Sequence, residues 1–283
     1  MTGAPPADRG TQLREFKTGE GVRVTGERWE GPGPAVVLLH AGVTDHRSWQ
    51  WVAPIVSRAG FDVIAYDRRG FGYTQTGEKP YTHVGDLVSL LGLVAGDSPA
   101  WLVGNSAGGG VAVDAALTAP DRVAGLILLA PSISGAPELQ AEDLDAPTRT
   151  LAVRLESAMG EERLLAQTHL WLDGPSEREG RVGGRARELA LDMGRRILES
   201  EVDEQTGGRD FSAWAMLEQV SQPVAVGCGA LDVPAIIETC QTLALRFPCS
   251  RYQVFEDAAH LLPLDAPERT AAWIVDVIST SRG

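Results

Sequence analysis

One short segment constrains the fold of this chain more than any other. Ala100 to Gly104 is an apolar run of strand length, Ala107 to Thr118 carries a helical pattern, and only Asn105-Ser106 lies between them. A backbone that turns from strand into helix so abruptly needs strained dihedrals at its apex. The positions two before and two after the apex must then be small. Gly104 and Gly108 meet that requirement around Ser106. Such a turn lifts the Ser106 hydroxyl above the end of a sheet. It also aims the N–H of Ala107, at the helix N-terminus, toward the space the hydroxyl faces. The plainer alternative is a glycine-rich turn that only lets a helix pack closely on a sheet.

The rest of the chain supplies the sheet. Ala35 to Leu39 is continuously apolar, the mark of a strand buried on both faces. Phe61–Tyr66, Val123–Ala130, Pro223–Gly227 and Arg251–Phe255 also read as strands. Helical stretches at Ser48–Ala59, Tyr81–Ala95, Pro234–Phe247 and Pro267–Thr280 alternate with them. That alternation predicts an α/β fold: a mostly parallel twisted sheet with helices on both faces. Ahead of it, Leu13–Thr18 and Gly21–Trp29 flank Gly19-Glu20-Gly21 and suggest a hairpin. After Ser134 the alternation stops. Pro137 to about Leu217 is rich in Glu, Arg, Leu and Ala and predicts about four helices without a strand. The expected organisation is a core of 1–134 and 218–283 with an inserted helical cap at 135–217.

Composition narrows the partners. The net charge of −13 argues against nucleic acid or anionic membrane and leaves a small-molecule partner. No run approaches the roughly 20 apolar residues that span a bilayer. Met1–Gly10 has no apolar stretch of the secretory kind and reads as a short arm. The three cysteines, Cys228, Cys240 and Cys249, are odd in number and show no CxxC spacing. They argue against a disulfide framework or structural zinc and suggest a cytoplasmic setting. Composition says nothing to choose between monomer and homodimer.

Three motifs now fall in order. Gly104-Asn-Ser106-Ala-Gly108 has the form G-x-S-x-G between strand and helix. His40-Ala41-Gly42 follows an early strand, with Trp49 nine residues after the histidine, and Asp67-Arg-Arg-Gly-Phe-Gly72 follows the next strand. Over nearly its whole length the chain resembles the α/β-hydrolase family, in the branch with a helical cap. The resemblance implies a serine nucleophile at Ser106, then an acid, then a histidine, in chain order.

A serine hydroxyl needs a base, and the base an orienting acceptor. Of five histidines, at 40, 46, 83, 169 and 260, only His169 and His260 follow Ser106. His169 lies in the expected cap. His260 sits just past the final strand, where the family places its base. For the acid, Gly229-Ala-Leu-Asp232 resembles the family's G-x-x-D turn; Asp257 is the rival. The oxyanion donors implied are the N–H groups of Ala107 and Gly42. Ala41 stands where the family usually has glycine, which leaves Val43 as the alternative second donor. His40 reads as a structural residue of its loop. No metal or organic cofactor is implied.

A serine at the turn excludes the carboxylate chemistry of the family's haloalkane dehalogenases and epoxide hydrolases. The expected reaction is hydrolysis of a small ester or lactone. The Gly-Asn-Ser-x-Gly-Gly form also resembles carbon–carbon bond hydrolases of ring-cleavage products, but their longer glycine-rich loop after His40 is missing. Acyltransferase or perhydrolase chemistry, or a non-catalytic receptor, are further alternatives. Val43, Trp171 and Trp214, with Leu170, Met193 and Met216, are candidates for the pocket wall, although such residues at helical spacing are more often core.

Overall fold

The computed structural model describes residues 13–17, 23–77, 80–137, 140, 142–200, 212–248 and 250–281. The expected arm at 1–10, the hairpin turn at 19–21 and Cys249 lie outside the described residues. Eight strands form one sheet: β1 Arg14–Lys17, β2 Arg23–Trp29, β3 Ala35–Leu39, β4 Asp62–Tyr66, β5 Ala100–Asn105, β6 Val123–Leu129, β7 Val224–Gly229 and β8 Ser250–Phe255. Their order is β1-β2-β4-β3-β5-β6-β7-β8. β1–β2 and β2–β4 pair antiparallel, and every other pair is parallel.

All residues of β3, β4, β5 and β7 are buried. A parallel sheet covered on both faces demands this, and it is why these strands read as largely apolar runs, with Asp62 and Asn105 at strand ends. Successive side chains point to opposite faces. Val37, Leu39, Leu102 and Leu128 pack under α2 (His83–Ala95), α3 (Ala107–Thr118) and α7 (Pro234–Arg246). Val36, Leu38, Val103 and Ile127 pack under α1 (Ala53–Arg58) and α9 (Pro267–Thr280). A short helix, α8 (Leu262–Asp265), leads into α9.

Local chemistry corrects two boundaries. The single helix expected over 48–59 is a 3₁₀ turn at His46–Trp49 followed by α1, whose first turn contains Pro54. Proline lacks an N–H to bond backward, so it suits a helix start and not its middle. α2 begins two residues later than its pattern suggested, because the Thr82 hydroxyl accepts the N–H of Gly85 at 3.0 Å and caps it.

Between β6 and β7 lie α4 (Ala146–Ser157), α5 (Gly160–Thr168), a π-type turn (His169–Asp173) and α6 (Gly184–Glu199), with no strand among the described residues. The 3₁₀ helix Ala213–Gln219 then leads into β7, and Ala213 and Leu217 pack in the sheet core beside α3. Part of the segment expected as cap thus contributes side chains to the sheet core. Among the described residues, no helix is long and apolar enough to cross a membrane.

Candidate active site

The turn after β5 has the strain its spacing demands. Ser106 takes φ 53° and ψ −120°, a left-handed region that costs a non-glycine residue energy. A Cβ on Gly104 would lie 2.5 Å from Gly108 and Gly109 backbone atoms, and one on Gly108 would lie 2.4 Å from the carbonyl oxygen of Leu39. Gly109 is equally constrained, since its Cβ would meet Pro131 at 2.6 Å. The apex is held by its own backbone. The Ser106 N–H donates to Leu129 at 2.9 Å, and its carbonyl accepts N–H groups from Gly109 at 2.9 Å and Ser132 at 3.0 Å. Ser106 and Ala107 remain half-buried while Asn105 is buried.

Asp232 and His260 follow β7 and β8 and meet at the same edge of the sheet. His260 Nδ1 lies 2.8 Å from Asp232 Oδ2, with both residues buried. Asp232 Oδ1 accepts the N–H of Val233 at 2.7 Å, which fixes the carboxylate plane. The two loops fit because residue 229 is glycine: a Cβ there would sit 2.1 Å from the carbonyl oxygen of Ala258. One residue that the motifs did not single out joins the elbow to the His260 loop. Asn105 Nδ2 donates to the carbonyls of Leu129 at 3.0 Å and His260 at 3.1 Å. Only its place beside Ser106 hinted at this.

The rivals are occupied elsewhere. His169 Nε2 lies 2.8 Å from the Glu177 carbonyl, within the inserted segment. The Asp257 side chain is exposed and pairs with Arg269. His40 is buried, with Nδ1 2.7 Å from the Ala41 carbonyl and Nε2 3.1 Å from the N–H of Arg68. Those partners assign the ring proton to Nδ1. Burial and then the Arg68 charge push its pKa well below the usual value, so it is a neutral strut.

The loop after His40 is a tight turn, with the N–H of Thr44 3.3 Å from the Ala41 carbonyl. Gly42 and Val43 occupy its two central positions. Gly42 faces Ala107, where its Cβ would lie 3.8 Å from the alanine methyl. The Asp67–Gly72 turn braces this loop. Arg68 Nη2 reaches the carbonyls of His40 and Ala41, both at 3.3 Å. Asp67 accepts the His46 N–H at 2.8 Å, the Tyr73 N–H at 2.8 Å and His46 Nδ1 at 2.7 Å. Gly72 is required beside it, because a Cβ would strike the Asp67 carboxylate at 2.2 Å. Asp45, His46 and Asp67 lie close enough to be weighed as metal ligands, but the bonds just given, with those of Asp45 Oδ1 to the Arg47 N–H at 2.9 Å and of Oδ2 to Arg47 Nη2 at 2.7 Å, engage the carboxylate oxygens.

The inserted helices cover this edge. Ala41, Leu172, Met193 and Leu261 form a buried apolar cluster, with Val43 and Trp171 packed against it. Trp171 also touches the His260 ring, the centroids 4.6 Å apart. Trp214 is not part of that group. Its ring packs under Arg246 at 4.8 Å, and its backbone N–H donates to the Ser134 carbonyl at 2.9 Å.

The chain is similar to lipase LipV of Mycobacterium tuberculosis, 35% identical over 114 residues, covering 38% of this chain and 41% of that protein. It is likewise similar to epoxide hydrolase B of the same species, 35% identical over 108 residues, covering 36% of this chain and 30% of the relative. The matches thus span less than half the length of either relative. A thermophilic esterase from Thermogutta terrifontis superimposes with a TM-score of 0.74 at 25% identity, covering 96% of this chain and all of that one. The family model described as alpha/beta hydrolase fold matches residues 34–267, and with a strand–elbow–helix at Ser106 on an eight-stranded sheet, the chain belongs to the α/β hydrolase fold family.

Proposed function

We propose that the protein is a serine hydrolase that cleaves a small-molecule ester or lactone through an acyl-enzyme on Ser106. The observation that carries this reading is the Asp232–His260 hydrogen bond at the strand edge that also presents Ser106 on a strained elbow. With Nδ1–H donated to Asp232, His260 keeps its Nε2 lone pair for the serine proton. Ser106 Oγ attacks the carbonyl carbon, and charge collects on the carbonyl oxygen. The N–H of Ala107 is one of the four that a helix cannot satisfy internally, so it is free to receive that charge. Gly42, against Ala107, supplies the second donor. His260 then protonates the leaving oxygen. In the second half it takes a proton from the water that attacks the acyl-enzyme and passes it to Ser106 Oγ as the acid leaves. The inserted helices serve as a cap whose apolar side chains shape the acyl pocket.

Epoxide hydrolase B is among the relatives, but the residue at the elbow here is a hydroxyl and not a carboxylate, which favours acyl over alkyl transfer. The names lipase and esterase among the similar proteins fit the same choice. The test is hydrolysis of p-nitrophenyl esters from acetate to decanoate. Multiple turnovers are expected from the wild type, with a loss of roughly 10⁶-fold in Ser106→Ala. Turnover by that variant above about a hundredth of wild type would remove Ser106 from its role.

A further inference from the structure

We propose that Arg181, in the inserted segment, is the positioning residue for His260, so that the insert is a structural part of the active site and not a detachable cover. This rests on the reading of His260 as the general base.

A guanidinium carries five N–H donors in a fixed plane, and Arg181 uses all five. Nε donates to the Asp173 carbonyl at 2.6 Å. Nη1 donates to the Asp257 carbonyl and Asp265 Oδ1, both at 3.1 Å. Nη2 donates to the Leu172 carbonyl at 2.8 Å and to Asp265 Oδ2. Asp265 Oδ2 in turn accepts the N–H of Ala259 at 2.7 Å. The Arg181–Asp265 pair thus holds the chain at 257 and 259, immediately before the base. On the other side of the base, the N–H of Leu261 donates to the Trp171 carbonyl at 3.1 Å. Trp171 belongs to the same turn whose Leu172 and Asp173 carbonyls Arg181 grips. The His260 loop is therefore tied to the insert both before and after the imidazole.

The arginine is itself held in place. Asp173 is fully buried, and its carboxylate accepts the N–H of Gly180 at 2.8 Å, that of Val182 at 2.9 Å and Arg187 Nη1 at 2.7 Å. These bonds close 173–182 into one loop around Arg181. The loop also abuts the acid: a Cβ on Gly174 would lie 2.3 Å from the carbonyl oxygen of Leu231, next to Asp232. One loop of the insert therefore contacts the segments carrying both base and acid. A general base works only within hydrogen-bond reach, and misplacement by about 1 Å costs on the order of 100-fold.

The experiment compares Arg181→Ala, Arg181→Lys and His260→Ala on a p-nitrophenyl ester that the wild type turns over, well below each variant's melting temperature. Arg195→Ala, at the exposed ion pair with Glu161 elsewhere in the insert, is the control. His260→Ala is expected to abolish turnover; if it does not, the reading of the base fails, whatever Arg181 does. With that in place, Arg181→Ala is expected to lower kcat about 100-fold while KM moves less than about threefold. Arg181→Lys is expected to restore part of kcat, because three donors cannot serve five acceptors. A folded Arg181→Ala or Arg181→Lys with wild-type kcat, or a loss appearing only in KM, overturns the proposal. Should the alanine variant not fold, the lysine variant carries the same test.

Discussion

The indole of Trp171 lies against the imidazole of His260, ring centroids 4.6 Å apart and planes inclined at 45°. Trp171 comes from the helical insert and His260 from the loop after β8, so the pair joins two parts of the chain 89 positions apart in sequence (260 minus 171). A ring in that place keeps water off one face of the imidazole and limits its rotation. Trp171→Ala is expected to lower kcat/KM about tenfold, equivalent to about 1.4 kcal/mol, and Trp171→Phe to keep most of the activity. Steady-state kinetics of the two variants decide it; an alanine variant equal to wild type would leave the contact without function.

The elbow glycines make a prediction about stability. The Cβ of Gly108→Ala would meet the Leu39 carbonyl oxygen at 2.4 Å, backbone that cannot move without shifting β3. A loss of about 3 kcal/mol is expected. Urea denaturation checks it, and a variant within about 0.5 kcal/mol of wild type would mean the helix can back away from the strand.

In the proposed mechanism Asp232 orients rather than reacts. Asp232→Asn keeps the shape but offers His260 Nδ1 a donor as readily as an acceptor, which favours the wrong tautomer. The expected loss in kcat is about 10⁴-fold with an unchanged circular dichroism spectrum, by analogy with the serine-protease triad. A loss below about tenfold would assign the orienting role elsewhere.

Two buried histidines act on stability with opposite sign. Burial opposes the charge on His46, but the Asp67 hydrogen bond and the charges of Asp67, Asp45 and Glu27 outweigh it and raise the pKa. A raised folded pKa stabilises below the unfolded value of about 6.5, and that contribution fades as pH rises through the folded pKa. His40 is depressed, so its contribution is present above about 6.5 and is lost as pH falls. The destabilisation caused by His46→Gln should therefore be larger at acidic pH than at pH 8, and that caused by His40→Asn larger at pH 8. Denaturation midpoints across this range test both signs; differences that do not vary with pH would contradict them.

Much of this architecture was legible because parallel strands buried on two faces leave a simple trace. Ala35–Leu39 is apolar at every position and buried at every position. The elbow was legible through its resemblance to the G-x-S-x-G motif, whose spacing has a steric reason: Gly104 and Gly108 mark where Cβ atoms cannot fit. The cross-chain contacts left no such trace. Asn105 reaches His260, and Arg181 reaches Asp265, across 155 and 84 positions. No local pattern encodes a partner at that distance. The pocket residues divide for the same reason. Trp171 and Trp214 are alike in composition, yet one lies on the His260 ring and the other under Arg246.

The most direct measurement of Ser106 as an activated nucleophile is covalent trapping with diethyl p-nitrophenyl phosphate, read by peptide mass spectrometry. One diethylphosphoryl group per chain, located on Ser106, is expected in the wild type. In His260→Ala the labelling is expected to slow by orders of magnitude, and Ser106→Ala should show none. Labelling at another residue, or equal rates with and without His260, would contradict a serine hydrolase built on this triad.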